Sequence, residues 1–254
     1  MKFLQKLEEA SKKNKSLLCV GLDPDLSKIP RNFRDKLDPI FEFNKNIINQ
    51  TKDYVCAYKP NAAFYEALGN PGTESLKRTI EYVKVFGIPV ILDAKRGDIG
   101  NSSAAYAKAA FDVLRADAIT VSPYMGKDSV QPFLDYRDKG VFVLCLTSNE
   151  GSRDFQAFMY MKVAEAVSKW NNNGNCGLVV GATRPEQLKE ISAVSGDMPI
   201  LIPGVGAQQG DLEAVVKNGG PRPIINSSRG IIYDKDPHRA AKELRDRINE
   251  LLSS

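Results

Sequence analysis

Two carboxylates and a lysine crowd into one short stretch, Ile-Pro-Val-Ile-Leu-Asp-Ala-Lys-Arg-Gly-Asp-Ile-Gly at 88–100. Its apolar start, after Gly87, has the pattern of a strand buried on both faces. Its end is charged, with Asp93, Lys95, Arg96 and Asp98, and Gly97 and Gly100 let the backbone turn. Strand alternation puts Asp93 and Lys95 on one side, while Asp98 lies beyond Gly97 and can be redirected. A lysine that attacks a carbonyl must be neutral, and these neighbours act in the opposite sense. One carboxylate about 4 Å away, at an effective dielectric of about 20, favours the ammonium by about 4 kcal/mol. Lys95 is therefore better suited to donate a proton than to act as a nucleophile. A solvated charge cluster at a strand end would have the same composition, so the rest of the chain has to decide.

The elements that must position these residues alternate along the chain. Short apolar runs occur at 17–22, 54–58, from 88, and at 118–121, 141–146, 177–180, 199–202 and 223–225. Helical patterns follow most of them, at 39–48, 73–86, 104–114, 129–137, 155–170, from Pro185, and at 237–252. Thr73 is the expected cap of the second of these, with Gly87 at its end, and Asn101 and Ser102 are the expected caps of the third. One short run per helix implies a parallel sheet. Eight such units in about 250 residues predict an α/β protein built as a closed (β/α)8 TIM barrel. A doubly wound open sheet usually has fewer strands, and no Gly-x-Gly-x-x-Gly pattern follows the first run. No linker rich in Pro, Gly or Ser interrupts the chain, so residues 1–254 are expected to form one domain.

Composition narrows the function. The 35 basic and 31 acidic residues are interspersed and leave a net charge of +4. That is too mild for a nucleic-acid or membrane surface, yet it would not repel an anionic substrate. No apolar run approaches transmembrane length and the first residues lack a signal-peptide core, so a cytoplasmic protein is expected. Cys19, Cys56, Cys145 and Cys176 sit in or beside apolar runs without metal-ligand spacing, as reduced core residues do. The single histidine, His238, follows Asp236-Pro237 at a helix start. Multi-histidine zinc sites are thereby excluded, and a Ser-His-Asp triad is disfavoured.

On a barrel, Asp23, Lys59, Asn61, Asp93, Lys95, Ser148, Gln208 and Arg229 all fall at strand ends and so meet at one face, where barrel enzymes keep their sites. The strand starts carry no such groups; they read Val55, Ile88, Ala118, Val141 and Pro199. Gly204 and Gly206 after the seventh run, with Arg229 after the eighth, suggest a phosphate site.

Three motifs resemble those of a known family. Asp-Ala-Lys-Arg-Gly-Asp-Ile-Gly (93–100), Pro-Gly-Val-Gly-Ala-Gln (203–208) and Asn-Ser-Ser-Arg-Gly-Ile (226–231) are similar to orotidine 5′-phosphate decarboxylase, most of all to the subgroup written DAKRGDIG. Asp23 in Gly-Leu-Asp-Pro, Lys59-Pro-Asn61 and Thr147-Ser-Asn149 fit as well, so the resemblance runs from about 17 to 233. It implies a (β/α)8 barrel, typically a homodimer, that makes UMP and CO2 from orotidine 5′-monophosphate without metal or organic cofactor.

The resemblance also implies roles. Lys95 would protonate C6 as CO2 leaves, Asp93 would sit against the substrate carboxylate, and Lys59 would hold the array and touch the ribose. Asp23, with Asn61 nearby, would bind ribose hydroxyls, Ser148 would meet the pyrimidine, and Gln208 and Arg229 would hold the phosphate. Asp98 and Ile99 would reach the neighbouring subunit's site. Ser102, a further substrate-side position, stands where the family usually has threonine, and Gln209 where it usually has glycine. The loops at 149–153 and 207–210 are the expected mobile ones. Two rivals stay open on the residues alone. One is a sugar-phosphate decarboxylase or aldolase with Mg2+ on Asp93 and Asp98, which Lys59 and Lys95 would repel. The other is a non-catalytic barrel that senses UMP.

Overall fold

Each of the eight apolar runs forms a strand: β1 (Leu18–Leu22), β2 (Ala57–Pro60), β3 (Ile91–Arg96), β4 (Ala118–Val121), β5 (Gly140–Leu146), β6 (Cys176–Val180), β7 (Ile200–Pro203) and β8 (Pro223–Ser227). The computed structural model describes residues 1–205 and 211–253. The strands pair in parallel in the order β2-β1-β8-β7-β6-β5-β4-β3. The two ends of that series meet at bridges between Tyr58 and Val90 and between Asn61 and Asp93, which curls the sheet into a nearly closed barrel.

Alternation along the strands divides the core in two. Val20, Tyr58, Ile119, Val143, Leu178, Ile202 and Ile225 face outward, packed against the surrounding helices. Facing inward, Cys19, Ala57, Ile91, Ala118, Phe142, Val179, Leu201 and Ile224 make a separate apolar cluster with one member from each strand. Helix α1 (Phe3–Asn14) closes the N-terminal end of this cluster, with Phe3 edge-on to Phe142 at 5.6 Å between ring centroids. A Cβ on Gly140 would collide with the Phe3 ring, so the bare backbone there admits the plug. Lys6 also fixes the helix, by an ion pair to buried Asp117 at 2.6 Å.

Two residues beyond the inner cluster on each strand stand Gly21, Lys59, Asp93, Thr120, Leu144, Gly181, Pro203 and Asn226. Period-two geometry turns them to the same interior, one step nearer the strand C-termini. Apolar packing below and polar groups above thus come from a single alternation.

The outer ring contains α2 (Arg31–Arg34), α3 (Pro39–Thr51), α4 (Ala62–Glu66), α5 (Gly69–Lys84), α6 (Gly100–Lys108), α7 (Lys127–Leu134), α8 (Ser152–Trp170), α9 (Pro185–Ser195), α10 (Leu212–Asn218), α11 (Arg229–Ile232) and α12 (Pro237–Ser253). A π-helical turn, Ala109–Val113, extends α6. No helix among the described residues is long and apolar enough to cross a membrane.

Among the boundaries that differ from those expected, three bear on local bonding. The second strand begins at Ala57 rather than 54, because the Tyr54 carbonyl accepts from Ser16 Oγ at 2.6 Å instead of joining the ladder. Helix α5 starts at Gly69, so Thr73 lies inside it and its hydroxyl donates back to the Gly69 carbonyl. Pro71 falls in the first turn, where a missing N–H breaks no helical bond. Helix α6 starts at Gly100, with Ile99 in the cap position and Asn101 and Ser102 in the first turn rather than capping it.

All four cysteines are buried and free, and burial pushes the thiols of Cys56, Cys145 and Cys176 up to about 12. His238 lies exposed at the start of α12, where its Nε2 hydrogen-bonds Tyr54 Oη at 2.8 Å.

Candidate active site

The charged end of β3 is irregular. Ile91 pairs with Ala118 and Leu92 with Ile119, but the next pair is Arg96 with Val121. Residues 93–95 therefore face a single residue of β4, Thr120. Lys95 takes a left-handed backbone, with φ of +46°. Simple alternation thus does not carry through to Lys95, as the spacing had suggested. The bulge brings its side chain back instead, and Lys95 Nζ donates to Asp93 Oδ1 at 2.6 Å. Arg96 turns away from the barrel, pairs with Glu66 and stacks over the Tyr106 ring.

Asp93 is the hub. Its Oδ1 also accepts from Thr120 Oγ1 at 2.9 Å, and its Oδ2 accepts from Lys59 Nζ at 2.8 Å. Lys59 is 3% exposed and Asp93 9%. Burial alone would lower the Lys59 pKa and raise that of Asp93. Pairing wins on both sides. Asp93 and Asp23 carry Lys59 above the ordinary lysine range, and the Lys59 and Lys95 ammoniums hold Asp93 well below the usual carboxylate range. The array is ionised, and it is fixed from three strands, β2, β3 and β4.

This array opens into a cavity of about 510 Å3 at the C-terminal mouth of the barrel, floored by Leu144, Val179 and Leu201. Asp23, Lys59, Asn61, Asp93, Lys95, Ser148 and Arg229 all line it, so seven of the strand-end residues singled out from the sequence come together here. Gln208, with Gln209 and the loop at 207–210, lies outside the described residues. Among the described residues the charged lining consists of three cations, Lys59, Lys95 and Arg229, and two carboxylates, Asp23 and Asp93. That excess suits an anionic ligand.

Several lining groups have hydrogen-bonding capacity to spare. Asp23 Oδ2 accepts from Ser228 Oγ at 2.6 Å, while Asp23 Oδ1 and Asn226 Oδ1 are buried without a partner among the described residues. Buried acceptors normally find donors, and the hydroxyls of a ligand would supply them. Asn61 caps α4 through Oδ1, which accepts the Ala63 N–H at 3.2 Å, and so combines a structural role with its place on the wall. Arg229, the first residue of α11, is exposed and has no ion-pair partner among the described residues. Ser148 rests on Gly181, where a Cβ would collide with the serine Oγ. Its neighbour Thr147 is held by Gln156 Oε1, which accepts the Thr147 N–H at 2.7 Å and its hydroxyl at 3.0 Å.

Asp98, Ile99 and Ser102 do not line this cavity. Asp98 Oδ1 accepts the following Ile99 N–H at 2.8 Å, Ile99 is 57% exposed, and Ser102 faces solvent from α6. Apolar surface continues from there. Gly97 abuts Ser122 and Met125, and Tyr124 shares an apolar pocket with Phe155 and Met159, all of them exposed aromatic or sulfur side chains beyond the glycine and serine.

Sequence inspection missed Thr120, Gln156, Asn226 and Ser228 as parts of the site. For Asn226 and Thr120 a signal existed. Each stands two residues beyond an inward apolar residue of its strand, Ile224 and Ala118.

Residues 16–244 match the model of the orotidine 5′-phosphate decarboxylase / HUMPS family. An orotidine 5′-phosphate decarboxylase from Dehalococcoides mccartyi is 50% identical, covering 98% of both chains. One from Herpetosiphon aurantiacus is 52% identical over 91% of this chain and 89% of its own. The solved structure of Leishmania donovani OMP decarboxylase superposes with a TM-score of 0.90 at 46% identity, covering 100% of both chains. With the barrel, the ionised array and the cavity all in place, the chain belongs to the orotidine 5′-phosphate decarboxylase / HUMPS family.

Proposed function

We propose that this chain decarboxylates orotidine 5′-monophosphate to UMP and CO2 in pyrimidine biosynthesis, with Lys95 delivering a proton to C6. The observation that carries this is the Lys59–Asp93–Lys95 array at the cavity, where one carboxylate holds two ammoniums at 2.8 and 2.6 Å. Loss of CO2 leaves electron density on C6 with little resonance relief. A fixed ammonium aimed at that carbon stabilises the developing charge and then quenches it. Asp93 sits where the departing carboxylate would lie, and Lys59 orients it. Asp23 Oδ1, buried without a partner among the described residues, accepts from a ribose hydroxyl, Ser148 lies on the pyrimidine side, and Arg229 takes the phosphate.

The chemistry calls for no metal or organic cofactor, and the donor set agrees. Both oxygens of Asp93 are committed to ammoniums, which would repel a divalent cation. The four buried free cysteines suit a cytoplasmic location. The direct test follows orotidine 5′-monophosphate absorbance after adding protein stripped with EDTA. Steady loss is expected. Loss only after Mg2+ is restored would favour the metal-assisted rival, and UMP binding without turnover would favour a sensor.

The same proposal includes a homodimer with composite sites. Half-buried Asp98 and exposed Ile99 follow Gly97, which abuts Ser122 and Met125 on either side of exposed Tyr124, and a second copy packed on this face would bring them to its partner's cavity.

Arg229→Ala tests the phosphate assignment. Efficiency toward the phosphorylated substrate should fall by about 3 kcal/mol, roughly a hundredfold, since each charge-assisted hydrogen bond contributes about 1.5–3 kcal/mol. Turnover of the bare nucleoside should barely change. Equal losses on both compounds would move Arg229 away from the phosphate.

A further inference from the structure

We infer that Thr120 is a positioning residue for the proton donor, tying both ends of Lys95 to one oxygen of Asp93; this rests on the decarboxylase function proposed above. The bulge makes the tie necessary. Residues 93–95 lie opposite Thr120 alone, so the strand ladder provides no regular partner for the Lys95 N–H. Thr120 supplies it from its side chain, with Lys95 N–H to Oγ1 at 2.9 Å, and the residue is fully buried.

The direction of each bond follows from chemistry. A backbone N–H only donates, so Thr120 Oγ1 must accept there. An ionised carboxylate only accepts, so the hydroxyl proton goes to Asp93 Oδ1 at 2.9 Å. Lys95 Nζ returns to that same Oδ1 at 2.6 Å. The chain Lys95 N, Thr120 Oγ1, Asp93 Oδ1, Lys95 Nζ is a closed ring. It fastens a half-exposed, flexible side chain at its root and its tip. It also supports a left-handed backbone at a residue other than glycine, found among the described residues only at Lys15, Lys95 and Arg115. Without the hydroxyl, Lys95 keeps its charge and its pairing to Asp93 but loses the anchor of its backbone.

Thr120→Val keeps the shape and removes the hydroxyl, and Thr120→Ser keeps the hydroxyl and removes a methyl. Two measurements apply to each. Amide hydrogen exchange reports the tie itself, and the Lys95 N–H should exchange at least about tenfold faster in the valine variant and near the wild-type rate in the serine variant. Turnover per UMP-binding site reports the consequence. It should fall about ten- to hundredfold in the valine variant with KM within about threefold, and serine should restore it to within about threefold of wild type. A purely structural role would reduce the number of sites that bind UMP, not turnover per site. Unchanged exchange, unchanged turnover per site, or a serine variant as impaired as valine would each overturn the inference. If valine prevents folding, Thr120→Ala is judged by the same measures. A wild-type protein that does not consume orotidine 5′-monophosphate would sink the decarboxylase function, and the exchange measurement would still decide the tie.

Discussion

Lys95→Ala should abolish decarboxylation, by at least about 10⁴-fold, while UMP binds nearly as before. A positioned general acid contributes about 10²–10⁴, and a preorganised charge aimed at the reacting atom about 10²–10³ more. The variant should fold, because Lys95 is not what buries Asp93. Lys59 Nζ at 2.8 Å and Thr120 Oγ1 at 2.9 Å remain on that carboxylate. The Lys95 side chain is itself 46% exposed, so its loss opens no core cavity. UMP lacks the carboxylate that leaves, and its ribose and phosphate would still meet Asp23 and Arg229. Turnover and UMP affinity are measured separately on the same preparation. Near-normal turnover would remove Lys95 from the mechanism. A parallel Lys59→Ala variant is the less informative one. Lys59 is almost wholly buried, and its removal takes away the buried partner of Asp93, so lost activity and lost folding would arrive together.

What the sequence made legible was set by distance along the chain. The strands were legible because a parallel sheet buried on both faces needs continuous apolar runs, as in the fully buried Leu18–Leu22. Asp93 and Lys59 were legible because a charge directly after such a run must lie at the C-terminal rim of a barrel. The bulge was not. It depends on how β3 registers against β4, a pairing of residues 25 or more apart; spacing from Ala118 turns Thr120 inward, but nothing local says which groups of β3 its hydroxyl meets. Helix α1 was missed for a similar reason. Phe3, Leu7 and Ala10 have helical spacing, but the surface they cover is assembled from all eight strands. Gln156 reaches Thr147 only after α8 has begun at Ser152, three residues before the expected start. Asp98 is the opposite case. The single-chain geometry leaves it outside the cavity, and only the motif it belongs to gives it a catalytic role.

Asp98 therefore leads to the second large effect, the recovery of activity from two dead variants. If each site takes Lys95 from one chain and Asp98 from the other, Lys95→Ala and Asp98→Ala should each be nearly inactive as pure dimers. Mixed one to one, unfolded and refolded, about half of the dimers should contain one of each chain. In such a dimer one site combines the intact Lys95 of one chain with the intact Asp98 of the other, and its second site carries both lesions. Roughly a quarter of all sites should then be restored, and activity should rise from near zero to about a quarter of wild type. The geometry within one chain favours this arrangement. Asp98 is absent from its own cavity wall, its Oδ1 is occupied by the Ile99 N–H, and Ile99 is exposed to solvent. Were Asp98 to serve its own chain, every site in the mixture would keep one lesion and refolding would restore nothing. Subunit exchange, checked with a size tag on one variant, separates that outcome from a failure to mix. A flat activity after confirmed exchange would discard the composite site and leave Lys95, Asp93 and Lys59 as a self-contained array within each barrel.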